Sequence, residues 1–265
     1  MYNSFQLGFK YLKYYLSASN GKGHGIHSPF VFNFILDVLN NRQKEFPPGE
    51  IAKLYEVLKS DQKQLEIEDL GAGSRIQKTK KRTIAQLAKT AVKPNKYSHL
   101  LFRLVKKYDP KTIVELGTSL GITTLYLAAA APNSQVITIE GSEAIREVAQ
   151  KNFLQFNQKN IRSLQGNFDD VLPSILEQLQ TIDLAYIDGN HRYEPTIDYF
   201  HQFLKKKNNN SILIFDDIHW SKEMEKAWAE IQNHPAVQCT IDVFFLGFVF
   251  FRDEFKEKQH FTIRF

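Results

Sequence analysis

The sequence is poor in cysteine and contains no long apolar run. Its single cysteine, Cys239, excludes an internal disulfide and fits a reducing compartment, where a lone cysteine is most simply a small buried residue. A membrane span needs roughly 18 apolar residues in a row, and no stretch approaches that length. Residues 1–15 carry lysines and aromatic rings instead of the unbroken apolar core of a signal peptide. These absences predict a soluble cytoplasmic protein that does not enter a membrane.

A strong excess of charge of one sign is also absent. The 34 Lys and Arg residues and 29 Asp and Glu residues give a formal net charge of +5. That excess permits a nucleic-acid partner but is modest for a chain of 265 residues. Part of it lies in one basic run, Lys78, Lys80, Lys81 and Arg82, with Arg75 nearby. The run predicts the solvated start of a helix, and a phosphate-binding patch is the alternative.

Residues 1–59 contain large apolar side chains at helical spacing, which predict two or three amphipathic helices. A loop at 19–27, marked by glycines and an asparagine, separates them. Ser28 and Pro29 predict a helix start with Pro29 in the first turn. His24 and His27 are either surface residues of the loop or part of a substrate entrance. The apolar positions are Phe5, Phe9, Leu12, Leu16, Phe30, Phe34 and Val38.

Residues 67–75, IEDLGAGSR, imitate a ligand-binding glycine turn because two glycines follow an acidic residue. The preceding residues alternate with charges, unlike a buried strand, and no second strand ending in an acid follows. We therefore predict a flexible loop, with a lid or a substrate-contacting segment as the functional alternative. Two further amphipathic helices are predicted over 83–92 and 98–107.

The most informative stretch is 112–130, TIVELGTSLGITTLYLAAA. Thr112–Leu116 predicts a buried parallel strand, because a short β-branched run that stops at glycine is typical of such strands. Gly117 and Gly121 then allow the backbone to approach a ligand closely. The turn lies at the carboxyl end of the strand, where open α/β sheets bind their ligands.

Two acids indicate which ligand this turn accepts. Glu115 precedes the first glycine, and a carboxylate there repels a diphosphate and suits an ammonium group. The spacing Gly117-x-x-x-Gly121 also differs from the G-x-G-x-x-G of dinucleotide sites. Glu140 ends a second apolar run and can accept both hydroxyls of a ribose. The predicted ligand therefore carries a ribose and a cationic amino-acid end.

From residue 111 onward apolar strands and helices alternate, which predicts a parallel sheet with right-handed crossovers. A tight turn near Gly247 joins the last two strands, which should form an antiparallel hairpin at one edge. The predicted strands are 112–116, 135–140, 161–165, 182–188, 211–216, 238–244 and 248–251. The predicted helices are 122–130, 143–156, 170–178, 194–205 and 222–232.

Carboxylates follow two neighbouring strands of this sheet. Asp188 ends one strand, with His191 three residues later, and Asp216 and Asp217 end the next. Adjacent strands lie about 4.8 Å apart, so these acids can converge. Clustered carboxylates repel each other, and a hard cation such as Mg²⁺ is the usual reason to gather them. The metal-free alternative is that Asp188 faces a cofactor while the Asp pair caps a helix or bonds a neighbour.

In its glycine turn VELGTSLG and its second acidic strand end ITIEGS, the chain resembles the class I S-adenosylmethionine-dependent methyltransferases over about residues 96–265. The resemblance implies a Rossmann-like α/β fold with a seven-stranded, mostly parallel sheet and an antiparallel C-terminal edge hairpin. Residues 1–95 would form a helical N-terminal cap beside the substrate, and 96–265 the S-adenosylmethionine-binding domain. The alternative is a doubly wound domain that binds another nucleotide.

The resemblance also implies roles for individual residues. Asn167 would match the donor and acceptor of adenine and Phe168 would pack on its face, whereas Asp169 is equally suited to accept from its amino group. The alternative is a turn with a core Phe168. The implied cofactor-binding residues are Glu115, Gly117, Thr118, Ser119, Gly121, Glu140, Gly141, Asn167, Phe168 and Asp188.

The strand-end acids resemble those of the metal-dependent O-methyltransferases, represented by catechol and macrolide sugar O-methyltransferases. Asp188 and Asp216 match the two metal-binding aspartates of that family, and Asp217 stands where the catechol enzyme has asparagine and the sugar enzymes have aspartate. His191 lies near the position of the catechol enzyme's catalytic lysine. With a reference pKa of about 6.5, neutral histidine can take a hydroxyl proton near pH 7, so we predict His191 and Asp188 as catalytic residues.

The predicted function is methyl transfer from S-adenosylmethionine to an oxygen of a small hydroxylated acceptor, assisted by Mg²⁺. An RNA methyltransferase is the alternative that the basic run favours. A cofactor-binding or scaffold protein without catalysis is the alternative from another class. The sequence leaves a homodimer open.

Overall fold

The structure is a computed structural model that describes residues 1–41, 49–69, 78–91 and 95–265. The chain divides into two compact units. The discontinuous unit contains Met1–Asn41 and Leu179–Phe265, and the central unit contains Arg42–Gln178. The predicted boundary near residue 95 stays a prediction.

Helices and strands alternate along most of the described chain. A π-helical turn (Ile35–Leu39) continues the second helix. The elements in chain order are α1 (Ser4–Ser17), α2 (Pro29–Phe34), α3 (Gly49–Ser60), β1 (Gln64–Asp69), β2 (Lys78–Thr83), α4 (Ile84–Ala91), α5 (Asn95–Tyr108), β3 (Thr112–Leu116), α6 (Ile122–Ala130), β4 (Gln135–Glu140), α7 (Glu143–Gln155), β5 (Ile161–Gln165), α8 (Phe168–Gln178), β6 (Ile182–Ile187), α9 (Tyr193–Leu204), β7 (Lys207–Asp216), α10 (Lys222–Asn233), β8 (Cys239–Asp242), β9 (Leu246–Phe250) and β10 (Gln259–Thr262).

In the central unit, β3, β4 and β5 are parallel neighbours in that order. Ile113, Val114 and Leu116 of β3 are completely buried, as expected for a parallel strand with both faces covered. Helices α5 and α6 contact each other beside this sheet. The three strands end at one edge, which is the edge where the sequence predicts the ligand. The predicted strands and their parallel pairing are confirmed here.

The small sheet of the central unit corrects two predictions. Strands β1 and β2 pair antiparallel, with Glu66 opposite Lys81, where we expected a flexible loop from residue 67 and a helix start in the basic run. The alternation of charged and apolar residues before the glycines is itself the pattern of a half-exposed strand, and Leu65 is buried on one face. The acidic strand therefore pairs with the basic one. Residues 70–75 of the predicted loop lie outside the described residues.

In the discontinuous unit the strands lie in the order β10-β8-β9-β7-β6. Strands β6 and β7 are parallel, and β9 is antiparallel to both β7 and β8. The predicted edge hairpin is therefore confirmed. β10 was not predicted: it is a short, half-exposed strand that pairs parallel to β8. Apart from β1 and β2, the described strands therefore number eight instead of the seven predicted.

Helix α1 is fixed at both ends within its unit. The Asn3 side chain accepts from the Gln6 backbone N–H, and the Gln6 side chain accepts from the Asn3 N–H, which completes a capping box. Near the other end, the buried Tyr14 hydroxyl donates to the Ile263 carbonyl and accepts from the Phe265 N–H. The C-terminal tail is therefore bonded to the last turn of the first helix.

The predicted apolar face of α1 is not the face that packs. Phe5, Phe9, Leu12 and Leu16 are exposed, whereas Tyr14, from the opposite side of the helix, is in the core. The helix is apolar on two sides, so its spacing alone does not identify the buried one.

The second helix begins at Pro29, as predicted. His24 and His27 are exposed in the loop before it. Within the described ranges, none of the helices is both long and apolar enough to traverse a lipid bilayer. A cytoplasmic location stays a prediction.

Candidate functional site

The turn after β3 has three residues with left-handed backbone. Gly117 has φ 100°, Ser119 φ 47° and Gly121 φ 80°, a conformation that glycine adopts without a steric penalty and serine only rarely. A Cβ on Gly121 would lie 2.5 Å from the ring of Phe153, so both the conformation and the space require glycine there. The turn therefore brings bare backbone to the carboxyl end of β3.

Glu140 is the acid at the end of β4, and its carboxylate is directed at this turn. One carboxylate oxygen accepts a hydrogen bond from the Ser119 N–H at 2.8 Å, and the other accepts from the Ser142 N–H at 3.1 Å. The Gly117 N–H donates to the Ile139 carbonyl at 3.0 Å. The sequence predicts that the glycine turn and Glu140 bind one ligand, and the structure places them within hydrogen-bond distance of each other.

Glu115 has a structural role that the sequence did not reveal. It is completely buried, and its Oε2 accepts hydrogen bonds from the Thr124 and Thr138 hydroxyls at 2.5 and 2.6 Å. The Thr118 hydroxyl lies 2.5 Å from that of Thr138. A buried carboxylate needs such donors, and here they link β3, β4 and α6. Its predicted contact with the ammonium group of a cofactor stays a prediction.

The residues predicted to contact adenine begin α8, directly after β5. Asn167 and Phe168 are half-buried, and the Asn167 side chain accepts from the Asp169 N–H at 3.3 Å. The Gly166 N–H donates to the Glu140 carbonyl at 3.0 Å. Phe168 is accordingly not a core residue, and this segment is tied to the end of β4.

Gly141 completes the predicted set in this unit, and its carbonyl accepts from the Gln165 side chain at 3.4 Å. The carboxyl ends of three parallel strands of the central unit therefore carry a glycine turn, a carboxylate, and a half-exposed amide with an aromatic ring. Such an edge is where open α/β sheets bind nucleosides and nucleotides.

A second group of candidate residues lies in the discontinuous unit. Ile187 of β6 is paired with Phe215 of β7, so Asp188 and Asp216 occupy neighbouring strand ends. Asp188, His191 and Asp216 each offer one ligand atom, and these atoms all lie within 4.8 Å of one another. The nearest His191 nitrogen is 3.5 Å from an Asp188 oxygen. Sequence reasoning correctly predicted that Asp188 and Asp216 converge.

Two polar contacts hold the loop that contains Asp188 and His191. The Tyr186 hydroxyl donates to an Asp188 oxygen at 3.1 Å, and the Asn190 amide donates to the Tyr199 hydroxyl at 2.8 Å. Sequence reasoning missed both tyrosines. The alternation of a strand could have revealed Tyr186, because it lies on the same face as Asp188, two residues away.

Asp217 lies outside this group. Its backbone is left-handed, with φ 53°, its N–H donates to the Phe245 carbonyl at 2.7 Å, and its carbonyl accepts from the Trp220 N–H at 2.9 Å. Among the residues that the structure describes, the group that could hold a metal ion contains His191 in place of Asp217.

The residues of this group fit a divalent cation. Asp216 is almost completely buried. One of its carboxylate oxygens lies within 4.8 Å of a carboxylate oxygen of Asp188. Two such anions repel each other unless a positive charge lies between them. Two carboxylate oxygens and an imidazole nitrogen are ligands of divalent first-row metals, and the oxygens also suit Mg²⁺.

The fold and the glycine turn followed by an acid are those of class I methyltransferases. In agreement, residues 114–218 match a protein family described as a methyltransferase domain. The predicted resemblance to class I methyltransferases and the predicted fold class are confirmed.

Relatives support the likeness to O-methyltransferases. A catechol O-methyltransferase of Niastella koreensis is 32% identical over 155 residues, which cover 56% of this chain and 66% of that protein. The chain spans 63 to 66% of the length of two curated relatives that it matches.

Two solved structures share the fold. The S-adenosylhomocysteine-bound methyltransferase PaMTH1 of Podospora anserina has a TM-score of 0.62 at 12% identity, covering 96% of this chain and 98% of that one. The O-methyltransferase TomG of Streptomyces achromogenes, in complex with S-adenosylmethionine, has a TM-score of 0.55 at 19% identity, covering 61% of this chain and 82% of that one.

Proposed function

We propose that the protein transfers a methyl group from S-adenosylmethionine to an oxygen atom of a small hydroxylated acceptor. The observation that carries the proposal is the contact between Glu140 and the Ser119 N–H, which places a carboxylate at a glycine turn in a chain of this fold. In the reaction the S–CH₃ bond breaks, its electron pair stays on sulfur, and the acceptor oxygen forms the new bond while its proton leaves.

In this proposal the central unit binds the cofactor. Glu140 accepts from the ribose hydroxyls, and the backbone of the Gly117–Gly121 turn faces the amino-acid end. Asn167 and Phe168 bind the adenine by hydrogen bonding and by packing against its face. The two catalytic needs are then alignment of the acceptor oxygen with the electrophilic methyl group and loss of the acceptor's proton.

Asp188, His191 and Asp216 are proposed to hold a divalent cation for the acceptor. When bound, such an ion would coordinate the acceptor's oxygen and favour its deprotonated form. Two oxygen ligands permit Mg²⁺, and a nitrogen ligand would raise the affinity for Mn²⁺ or Co²⁺. Tyr186 orients Asp188 for this role through its 3.1 Å hydrogen bond.

His191 has two candidate roles in the proposal, as the third ligand or as the group that takes the acceptor's proton. His191→Asn separates them. If His191 is a ligand, the variant binds Mn²⁺ more weakly in calorimetry. If it is the base, the variant binds Mn²⁺ with unchanged affinity and loses turnover.

The test of the function is methyl transfer to a panel of catechols, other vicinal diols and sugars, measured with chelator, Mg²⁺ or Mn²⁺. Asp216→Asn should abolish both Mn²⁺ binding and turnover while cofactor binding remains. Asp217→Gly is the comparison variant, because glycine removes the carboxylate and fits the left-handed backbone. It should leave Mn²⁺ binding unchanged if the observed group is the ligand set, and weaken it if Asp217 is a ligand as first predicted.

Equal turnover in chelator and in Mg²⁺ or Mn²⁺ would remove the metal from the proposal. Cofactor binding without transfer to any member of the panel would favour the non-catalytic alternative. In the basic run that favours an RNA substrate, Lys81 forms an exposed ion pair with Glu66 at 3.2 Å. RNA binding that weakens steeply with salt would restore that alternative.

A further inference from the structure

Helix α1 presents apolar side chains on two opposite sides. One side contains Leu7, Tyr11 and Tyr14, which pack against Phe244 and Phe245 of the same unit. These contacts attach the helix to its unit and explain why this side is apolar. They do not explain why the other, exposed side is also apolar.

The exposed side of the helix consists of four large residues, Phe5, Phe9, Leu12 and Leu16, spaced four, three and four positions apart. With Met1, which precedes the helix and is also exposed, we call them the α1 stripe. Their exposed fractions are 87% for Met1, 84% for Phe5, 65% for Phe9, 53% for Leu12 and 72% for Leu16. A fully exposed side chain of this size presents on the order of 200 Å², so the stripe exposes roughly 600 Å² of apolar surface, near the upper limit for a monomeric protein. Contiguous patches of this size typically mark interaction surfaces.

The stripe is held rigidly. The Tyr2 N–H donates to the Trp220 carbonyl at 3.0 Å, and Lys10 forms an ion pair with Glu225 at 2.8 Å. The Tyr14 hydroxyl is bonded to the C-terminal tail. A preorganised surface loses little conformational entropy on binding, so α1 is suited to association in its present position.

We propose that the α1 stripe is the contact surface of a homodimer, in which α1 packs antiparallel against α1 of a second copy. Phe5, Phe9, Leu12 and Leu16 are four, three and four positions apart, so their spacing is the same in both chain directions. Two antiparallel copies of the helix can therefore pair about a two-fold axis between Phe9 and Leu12. In this register Phe5 faces the partner's Leu16, and Phe9 faces the partner's Leu12. A two-fold interface requires this property, because the same patch must serve on both subunits.

The area and chemistry of the stripe agree with a second copy as the occupant. Roughly 600 Å² on each subunit gives about 1,200 Å² in total, which exceeds the ~1,000 Å² expected of a specific interface. No side chain of the stripe is charged, and the cores of protein interfaces are likewise depleted of charge.

Gly8 provides an independent indication of close packing. It lies inside α1, where glycine costs about 0.5–1 kcal/mol relative to alanine, yet a Cβ at this position would meet nothing within 4 Å. The packing of the single chain therefore gives no reason for glycine. In the proposed packing Gly8 lies beside the stripe, and the missing side chain leaves room for the partner helix to approach.

The test is sedimentation equilibrium of the full chain and of two variants that place a charge in the stripe. The wild type should sediment as a dimer. Phe9→Glu and Leu12→Lys alone should each weaken dimerisation at least about 100-fold, because a charge would be buried against an apolar side chain. Mixing these two variants should restore dimers, because one subunit's new glutamate then meets the other's new lysine and the second pair remains Phe9 against Leu12.

Two controls test which positions face each other and whether the effect is confined to the stripe. A mixture of Phe5→Glu with Leu12→Lys should not restore dimers, because these positions do not face each other. Leu154→Glu, at another exposed apolar residue, should leave the dimer unchanged. Circular dichroism would show that each variant is folded.

A monomeric wild type, a dimer that survives both single variants, or a failure of the matched mixture would overturn the proposal. A monomeric wild type that sediments with phosphatidylglycerol vesicles, and loses this in Phe9→Glu, would identify a lipid surface as the occupant instead. None of these outcomes affects the proposed reaction, because no residue of the stripe takes part in it.

Discussion

Substitution of Glu140 tests the proposed cofactor site most directly. The carboxylate accepts two backbone hydrogen bonds, from Ser119 in the glycine turn and from Ser142 at the start of α7. In the proposal it also accepts from the ribose hydroxyls. Glu140→Ala removes all of these acceptors, whereas Glu140→Gln keeps one oxygen and the size of the side chain.

The magnitude follows from the number of hydrogen bonds lost. A bond to a charged group contributes about 1.5–3 kcal/mol, so losing two ribose contacts in Glu140→Ala should cost at least about 3 kcal/mol, which raises Kd by roughly 150-fold or more. Glu140→Gln keeps one acceptor and should raise Kd about 10-fold. Loss of the two backbone contacts should lower the free energy of unfolding by about 1–2 kcal/mol in the alanine variant.

Calorimetric titration with S-adenosylhomocysteine measures the affinity without turnover, and denaturant unfolding measures the stability. Glu143→Gln is the matched control, because Glu143 is an acid of the same unit that only pairs with Arg146 on the surface. It should leave both quantities unchanged, as exposed pairs contribute little. A folded Glu140→Ala variant with wild-type affinity would refute the ribose role of Glu140 and the reasoning from strand end to ligand.

Three further outcomes follow from local structure. Tyr14→Phe should lower the free energy of unfolding by about 1–2 kcal/mol in denaturant titrations, because it removes the hydrogen bonds to the buried Ile263 carbonyl and the part-buried Phe265 N–H, whereas Tyr15→Phe at the exposed neighbour should have no effect. Gly121→Ala should destabilise by about 2–4 kcal/mol in thermal unfolding, from left-handed backbone and overpacking together. Gly25→Ala, with similar φ but open space, should cost only about 1 kcal/mol. Burial raises the pKa of the Cys239 thiol to about 12, so a thiol reagent near pH 8 should label the folded protein far more slowly than the unfolded one, and rapid labelling of the native state would contradict this burial.

Local patterns were sufficient to predict the central unit's parallel strands and the turn after β3. A strand buried on both faces must be apolar throughout, and a turn that requires left-handed backbone selects glycine, as at Gly121. Both constraints act within a few residues, so they are visible in the sequence. The same holds for the strand ends that carry Glu140 and Asp188.

Features that depend on distant partners could not be predicted in this way. Strand β1 exists because a basic strand pairs with it, and sequence spacing does not reveal which segments pair. The exposed side of α1 was misassigned because both sides are apolar, and only the position of Phe244 and Phe245 decides which one is buried. β10 is too short and too polar to have a distinct pattern.

Among the described residues, the two most buried acids are Glu115 and Asp216, and their surroundings differ. Glu115 is completely buried, and the hydroxyls of Thr124 and Thr138 donate to it. Neutral donors built into adjacent elements are what a structural carboxylate requires. Asp216 is buried to nearly the same extent. However, a carboxylate oxygen of Asp188 lies within 4.8 Å of a carboxylate oxygen of Asp216.

A second anion raises the energy of a buried carboxylate instead of lowering it. A positive charge on His191 or on a bound cation would offset this repulsion, and so would a proton on one of the carboxylates. Of these, only a bound cation makes thermal stability depend on added Mn²⁺. Stabilisation of the wild type by Mn²⁺ that disappears in Asp216→Asn, with no change in Asp217→Gly, would therefore assign the charge to a metal without measuring turnover.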